Sequence, residues 1–343
     1  VQVAAAAAAA AGSRVRPPSG RRYPRVVAQN LLLLLVGMVG LTLSADRFVA
    51  GAVQLAARLN VSTVVVGALI IGFGTSAPEL VVSTVATLTE GAEGTALGIG
   101  NIVGANVANL TLVLSAPVLV FGSISIQKGV KRQAVLSATG VTVFAVAAYV
   151  GQPTVLKGVG MALLMVVALR IVVRLGEGVD AGVTSDGAGG PGAWVWTVVG
   201  LVGTVGFAHV VVRAATGIAD QMGWTGGFVG FALVALGTTQ PELLTALAAA
   251  RRGEAGLVFG NLLGSNLFNS LTVGSAVFLA NGNKPYDEAS RLPVGSLLVM
   301  VAVSWLVIVV MGTGRRIRRG EAVILLCVYG AVLAWLAVTS ATV

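Results

Sequence analysis

The sequence predicts an all-α integral membrane protein of about ten transmembrane helices, arranged as two inverted-topology five-helix repeats with helices broken at the midplane. Three observations carry that prediction. Of 343 residues, 56% are hydrophobic and only 10% charged, with a mean hydropathy of +0.93, a mixture that a water-soluble domain does not present to solvent. The apolar residues fall into runs about one bilayer long, roughly 20 residues. Two sequence blocks also occur twice, in the same order and at nearly the same separation.

In chain order, residues 1–30 open with an alanine run and continue through Arg14, Arg16, Pro17, Pro18, Arg21, Arg22 and Arg25. This low-complexity basic stretch is read as a disordered tail. Its order, apolar before basic, is the reverse of a secretory signal peptide. The first repeat, 31–175, holds apolar segments near 31–57, 62–88, 95–122, 132–150 and 153–174. A Gly-rich polar linker, 176–192, carries Glu177, Asp180 and Asp186. The second repeat, 193–343, holds segments near 194–218, 225–250, 255–280, 293–312 and 320–340.

An odd number of spans in each repeat places the second upside down relative to the first. Orientation follows from the basic residues. With the N-terminus outside, the inside connections hold Arg58, Lys128, Lys131, Arg132, Arg170, Arg174, Arg251, Arg252, Arg315, Arg316, Arg318 and Arg319. The outside connections hold only Lys157, Lys284 and Arg291. The positive-inside rule therefore sets the N-terminus outside and the 176–192 linker in the cytoplasm of a cell-membrane protein, against the contrary vote of the five tail arginines. The net charge of +9 is spread between apolar runs, which argues for topology signals rather than nucleic-acid binding. A single cysteine, Cys327, excludes a disulfide framework and a Cys-rich metal site.

The repeated blocks carry the chemistry. GFGTSAPEL (72–80) returns as ALGTTQPEL (235–243), and GIGNIVGANVAN (98–109) returns as VFGNLLGSNLFN (258–269). Proline removes a backbone donor inside each first block, so the helix is expected to break there. Irregular backbone at membrane depth survives only where it is packed in protein or lines a cavity, which makes the carbonyls of Gly74, Thr75, Gly237 and Thr238 candidate ligands. Glu79 and Glu242 follow the prolines directly. An ionised carboxylate in hydrocarbon costs at least about 2.5 kcal/mol and needs compensation. Protonation, or pairing with Arg47 or Arg213, would supply it for one isolated glutamate, but two glutamates in repeated Pro-Glu contexts point to a shared cation site.

The second blocks add glycines for close packing and neutral oxygens. Asn101, Asn106, Asn261 and Asn266 read as helix-to-helix hydrogen bonds, whereas Asn109 and Asn269 are placed to face the site. An all-oxygen ligand set suits a hard cation, Ca²⁺ above all, with Na⁺ as competitor. Asp46 and the sole histidine, His209, correspond under the 163-residue shift of the first blocks and read as structural rather than as a proton relay.

GTSAPEL and GNIVGAN, with GTTQPEL and GNLLGSN, resemble the two alpha repeats of the cation/calcium exchanger superfamily, in particular the prokaryotic sodium/calcium exchangers. The resemblance implies that Thr75, Ser76 and Glu79, with Thr238, Thr239 and Glu242, line the site and that Asn109, Ser265 and Asn269 complete it. Ala105 stands where the first repeat often has serine, and Asn269 where some members have aspartate. Two formal negative charges remain, to be balanced by one Ca²⁺, two Na⁺ or two H⁺. The resemblance further implies secondary antiport of Ca²⁺ against Na⁺ by alternating access, without cofactor, with membrane lipid and inorganic cations as partners and sliding of the first helix of each repeat as the gating movement. A proton-coupled calcium exchanger and a cation channel are the rivals; no nucleophile and base pair accompanies the glutamates to support an enzyme.

Overall fold

The computed structural model describes residues 23–59, 61–176, 192–221, 239–285 and 293–341. Within them the protein is mostly helical. The first half comprises α1 (Tyr23–Leu59), α2 (Thr63–Thr75), α3 (Ala77–Thr89), α4 (Gly94–Phe121), α5 (Val130–Tyr149) and α6 (Val155–Gly176). The second comprises α7 (Gly192–Gln221), α8 (Gln240–Arg251), α9 (Ala255–Asn281), α10 (Val294–Gly312) and α11 (Arg319–Ala341). Five of these, α1, α4, α6, α9 and α10, are long and apolar enough to cross a membrane, and the bent pair α2–α3 makes a sixth.

The expected tail boundary at residue 30 is corrected. Helix α1 begins at Tyr23, with Pro24 in its first turn, where a missing N–H costs nothing. No further glycine or proline interrupts the chain before Gly37. The rest of the tail, the 177–191 part of the linker and the 222–238 start of the seventh expected segment lie outside the described residues. A second departure is a pair of two-residue strands, β1 (Ile124–Ser125) and β2 (Arg316–Ile317), joined antiparallel.

Helices α4 and α9 form the centre, each with 78% of its span buried, whereas α1 and α6 have 28%. Leucines and valines along the outer helices, such as Leu32, Leu156 and Leu163, stand exposed, as side chains facing lipid would. At 37 residues, α1 is about 55 Å long against a hydrocarbon core of about 30 Å, so it tilts or projects. It packs along α7 for much of its length.

The connections gather in two places. Strands β1 and β2 join the α4–α5 and α10–α11 connections, and Gly256 at the start of α9 lies against Thr63 and Gln127. Elsewhere Thr95 donates to Asn281 Oδ1 (3.1 Å), Asn281 Nδ2 donates to the Pro153 carbonyl (3.1 Å) and the Val155 N–H donates to Asn283 Oδ1 (2.8 Å).

Helix α9 approaches α2 almost backbone to backbone. A Cβ on Gly260 would lie 2.4 Å from the Val64 carbonyl oxygen and one on Gly264 2.5 Å from the Ala68 Cα. On the other side, a Cβ on Gly72 would meet the Asn261 carbonyl oxygen at 2.8 Å. Even one methyl group here must push the two helices apart, at a cost of about 1–3 kcal/mol. Gly260→Ala is therefore expected to lower the melting temperature of the purified protein by several degrees. Gly160→Ala, where a Cβ meets nothing within 4 Å, is expected to leave it unchanged; both are read by thermal unfolding in detergent.

Candidate cation site

The first repeated block breaks its span where expected. Ser76 takes φ −85° and ψ 7°, α2 and α3 meet there at 41°, and Pro78 occupies the second position of α3. In the second block, Thr239 adopts nearly the same conformation, φ −86° and ψ −1°, before α8, with Pro241 again second. Proline fits in both places because the first turn of a helix has N–H groups without intrahelical partners. Glu79 and Glu242 thus fall in the first turns of their half-helices, where the positive end of the helix dipole favours a carboxylate.

These half-helices carry the two carboxylates to full burial. Thr75, Ser76, Glu79, Asn109, Glu242, Ser265 and Asn269 each have 0% relative exposure, and Thr239 has 3%. Thr238, the remaining expected ligand, lies outside the described residues.

Hydrogen bonds tie the repeats together around Glu242. The Ser76 hydroxyl donates to Glu242 Oε1 at 3.0 Å, and the Ser265 hydroxyl donates to the Gly72 carbonyl at 3.0 Å. The Thr75 hydroxyl lies 3.0 Å from the Ile71 carbonyl oxygen and 3.3 Å from Asn261 Oδ1. Asn261 Nδ2 in turn donates to Thr245 Oγ1 (3.0 Å) and the Glu242 carbonyl (3.3 Å). Deeper along the central helices, Asn109 Nδ2 donates to Asn266 Oδ1 (3.1 Å) and Asn266 Nδ2 to the Asn106 carbonyl (3.0 Å). Asn106 donates to the Ser270 hydroxyl at 2.9 Å, and Asn101 donates to Ser83 at 3.0 Å. The four asparagines expected to bridge helices do so.

What stays unbonded is informative. Glu242 Oε2, Asn109 Oδ1 and both side-chain polar atoms of Asn269 are buried and make no hydrogen bond among the described residues. Buried polar atoms are ordinarily satisfied, so these three acceptor oxygens, without a donor among the described residues, are candidates for contact with a cation. Among the described residues no three His, Cys, Asp or Glu side chains cluster. A cation here would be held by at most two carboxylates and otherwise by neutral oxygens, the donor set of a hard ion. Ala105, buried at 3% exposure, offers no hydroxyl opposite Ser265.

One feature was not expected from the sequence. Among the described residues, three stretches wind as π-helix: Gly67–Gly72 in α2, Asn109–Val113 in α4 and Asn269–Val273 in α9. The last two are related by the 160-residue shift of the repeated blocks, and each opens on a candidate ligand asparagine. A π-turn widens the helix by one residue and is frequent at functional sites. No residue type announces it, so the repeat itself was the only available signal. Neither Asp46 nor His209 joins this site: Asp46 pairs with Arg251 and Arg252, and His209 is exposed on α7. Arg47 lies over the Trp196 ring, 5.3 Å from its centroid.

Comparison with known proteins shows the family. The model of the sodium/calcium exchanger protein family matches residues 29–174 and 192–338. The protein named CaxA of Alkalimonas amylolytica is 33% identical over 87% of this chain and 95% of its own length. The sodium/calcium exchanger MaX1 of Methanosarcina acetivorans is 26% identical over 90% of this chain and 98% of its own. Among solved structures, the sodium-calcium exchanger NCX_Mj superposes with a TM-score of 0.76 at 28% identity, covering 89% of this chain and 98% of that one. With a twofold family match spanning both halves, a relative a third identical along almost its whole length, and the same fold, the chain belongs to the sodium/calcium exchanger protein family.

Proposed function

We propose that the protein is a secondary-active antiporter that exchanges Ca²⁺ for Na⁺ across the cell membrane, both ions using the Glu79 and Glu242 site in turn. The observation that carries this reading is the set of buried acceptor oxygens on Glu242, Asn109 and Asn269 that lack a donor among the described residues, in a chain whose relatives include proteins named sodium/calcium exchangers. Thr75, Ser76, Thr238, Thr239 and Ser265 complete the proposed ligand set, and no cofactor is required.

The coupling follows from electrostatics. Two carboxylates buried without counter-charge are costly, so the site reorients when its charge is neutralised by one Ca²⁺ or by two Na⁺ and stays in place when it is bare. Each ion set then stabilises the reorienting form only while bound, which makes exchange obligatory.

In the full reading, ten spans form two inverted five-helix repeats, 31–175 and 193–343, joined by a cytoplasmic linker at 176–192, with the N-terminus outside. The alternation of connections between two gathering places supports it. So does the concentration of basic residues on one of them: Lys128, Lys131, Arg132, Arg251, Arg252, Arg315 and Arg316 flank the β1–β2 side. The two family-model segments fall on the two repeats.

Two outcomes are expected. Radiolabelled Ca²⁺ should enter Na⁺-loaded proteoliposomes down the Na⁺ gradient and fail to enter under a pH gradient alone; the reverse pattern would make protons the coupling ion, and uptake under neither would mean the transported ion is a different one. Glu79→Gln and Glu242→Gln should each lower Na⁺-driven uptake at least about 100-fold, the cost of leaving a buried ionic partner uncompensated. Full flux in either variant, with the protein folded, would remove that glutamate from the site.

A further inference from the structure

We infer that Asp46 on α1, paired with Arg251 and Arg252 at the end of α8, is an ionic latch that holds the transporter closed toward its basic face. The inference rests on the alternating-access reading above. Arg251 Nη2 lies 2.5 Å from Asp46 Oδ1 and Arg252 Nη2 lies 3.0 Å from Asp46 Oδ2, so each carboxylate oxygen has its own guanidinium. Arg252 also reaches the Asp46 backbone carbonyl at 3.4 Å. These ion pairs join two helices far apart in the chain.

The pair crosses a seam in the structure. Among the described residues, helices α1 and α7 make far more contact with each other than either makes with the rest. Their contact is interlocked by glycines: Gly40 faces the Phe207 ring, Gly51 the Thr197 backbone, Gly200 the Phe48 backbone and Gly203 the Ser44 side chain. A two-helix unit bound so tightly to itself moves as one body against its neighbours, the shear mode of conformational change. Displacement of α1 by one helical turn, about 5.4 Å, carries the carboxylate out of reach of both arginines. Contact and no contact are thus two discrete states of one joint.

The internal repeat shows that the joint is asymmetric. Under the 163-residue shift, Asp46 corresponds to His209, and Arg251 and Arg252 correspond to Leu88 and Thr89. Leu88 and Thr89 carry no charge, so the Asp46, Arg251 and Arg252 trio is not repeated at the matching positions. The Asp46 pair closes the gap between α1 and the end of α8, which lies beside the basic α8–α9 connection. The latched state is therefore shut toward the basic face. The three side chains are positioning residues: they touch no transported ion and set which face the site prefers.

In a two-state carrier with binding fast relative to reorientation, the apparent affinity at each face is reduced by the fraction of carrier facing it. The ratio of the two apparent KM values then scales with the reorientation equilibrium constant alone. The test measures apparent KM for radiolabelled Ca²⁺ uptake in Na⁺-loaded everted and right-side-out membrane vesicles. Asp46→Asn should lower KM at the basic face and raise it at the other, changing their ratio about two- to fivefold, the range of a partly exposed ion pair. Arg251→Gln with Arg252→Gln should do the same, and serves if Asp46→Asn does not fold. Asp46→Arg combined with Arg251→Glu and Arg252→Glu should restore the wild-type ratio. An unchanged ratio, or KM values that move in the same direction at both faces, would overturn the latch. Absence of Na⁺-driven uptake in the unmodified protein would instead overturn the exchange reading on which it rests.

Discussion

A carboxylate that water cannot reach inside a membrane protein has to be answered by something else, and that requirement organises this molecule. Glu79 and Glu242 are wholly buried in a chain with few charges of any kind. The half-helix N-termini answer part of the charge, and the Ser76 hydroxyl answers one oxygen of Glu242. The breaks at Ser76 and Thr239, the prolines that follow them and the fully buried hydroxyls and amides around them have a common purpose in this light. They supply dipoles and lone pairs beside the buried carboxylates.

Delivering those groups to one place requires that two helices from different halves of the chain nearly touch. Gly260 and Gly264 on α9 remove the side chains that would hold α2 away, and Gly67 and Gly72 do the same on α2. The Ser265 bond to the Gly72 carbonyl and the Thr75 contact with Asn261 exist only because of that approach. Packing and chemistry are coupled here: a change that separates the helices also unmakes the site, although it touches no ligand.

Much of this was legible in the sequence because membrane constraint and internal repetition are both strong signals. Hydropathy placed the helices, with α4, α5, α6, α9, α10 and α11 each within a few residues of the expected segment, since apolar runs of bilayer length favour helix. Repetition singled out the two Pro-Glu breaks, at Ser76 and Thr239. Other features were not legible for physical reasons. The start of α1 was missed because Tyr23–Asn30 is helical by continuation of a helix that tertiary contacts support, not by hydropathy of its own. The π-turns at Gly67, Asn109 and Asn269 were missed because they depend on where the helix must widen and not on residue type. The Asp46 pairing joins positions 205 and 206 residues apart in the chain, and neither local pattern nor repeat links them.

The departures from internal symmetry carry as much information as the symmetry itself. A pair of identical halves would hold an ion equally well from either side and would have no preferred orientation. Ala105 against Ser265 makes the two halves of the site unequal in hydroxyls, and Asp46 against His209 makes the two outer joints unequal in charge. Under the proposed exchange, the first inequality would bear on the ions held and the second on the direction the site faces. The shared backbone frame, with its matched turns at Ser76 and Thr239 and matched π-segments, allows such differences to arise one side chain at a time without disturbing the fold.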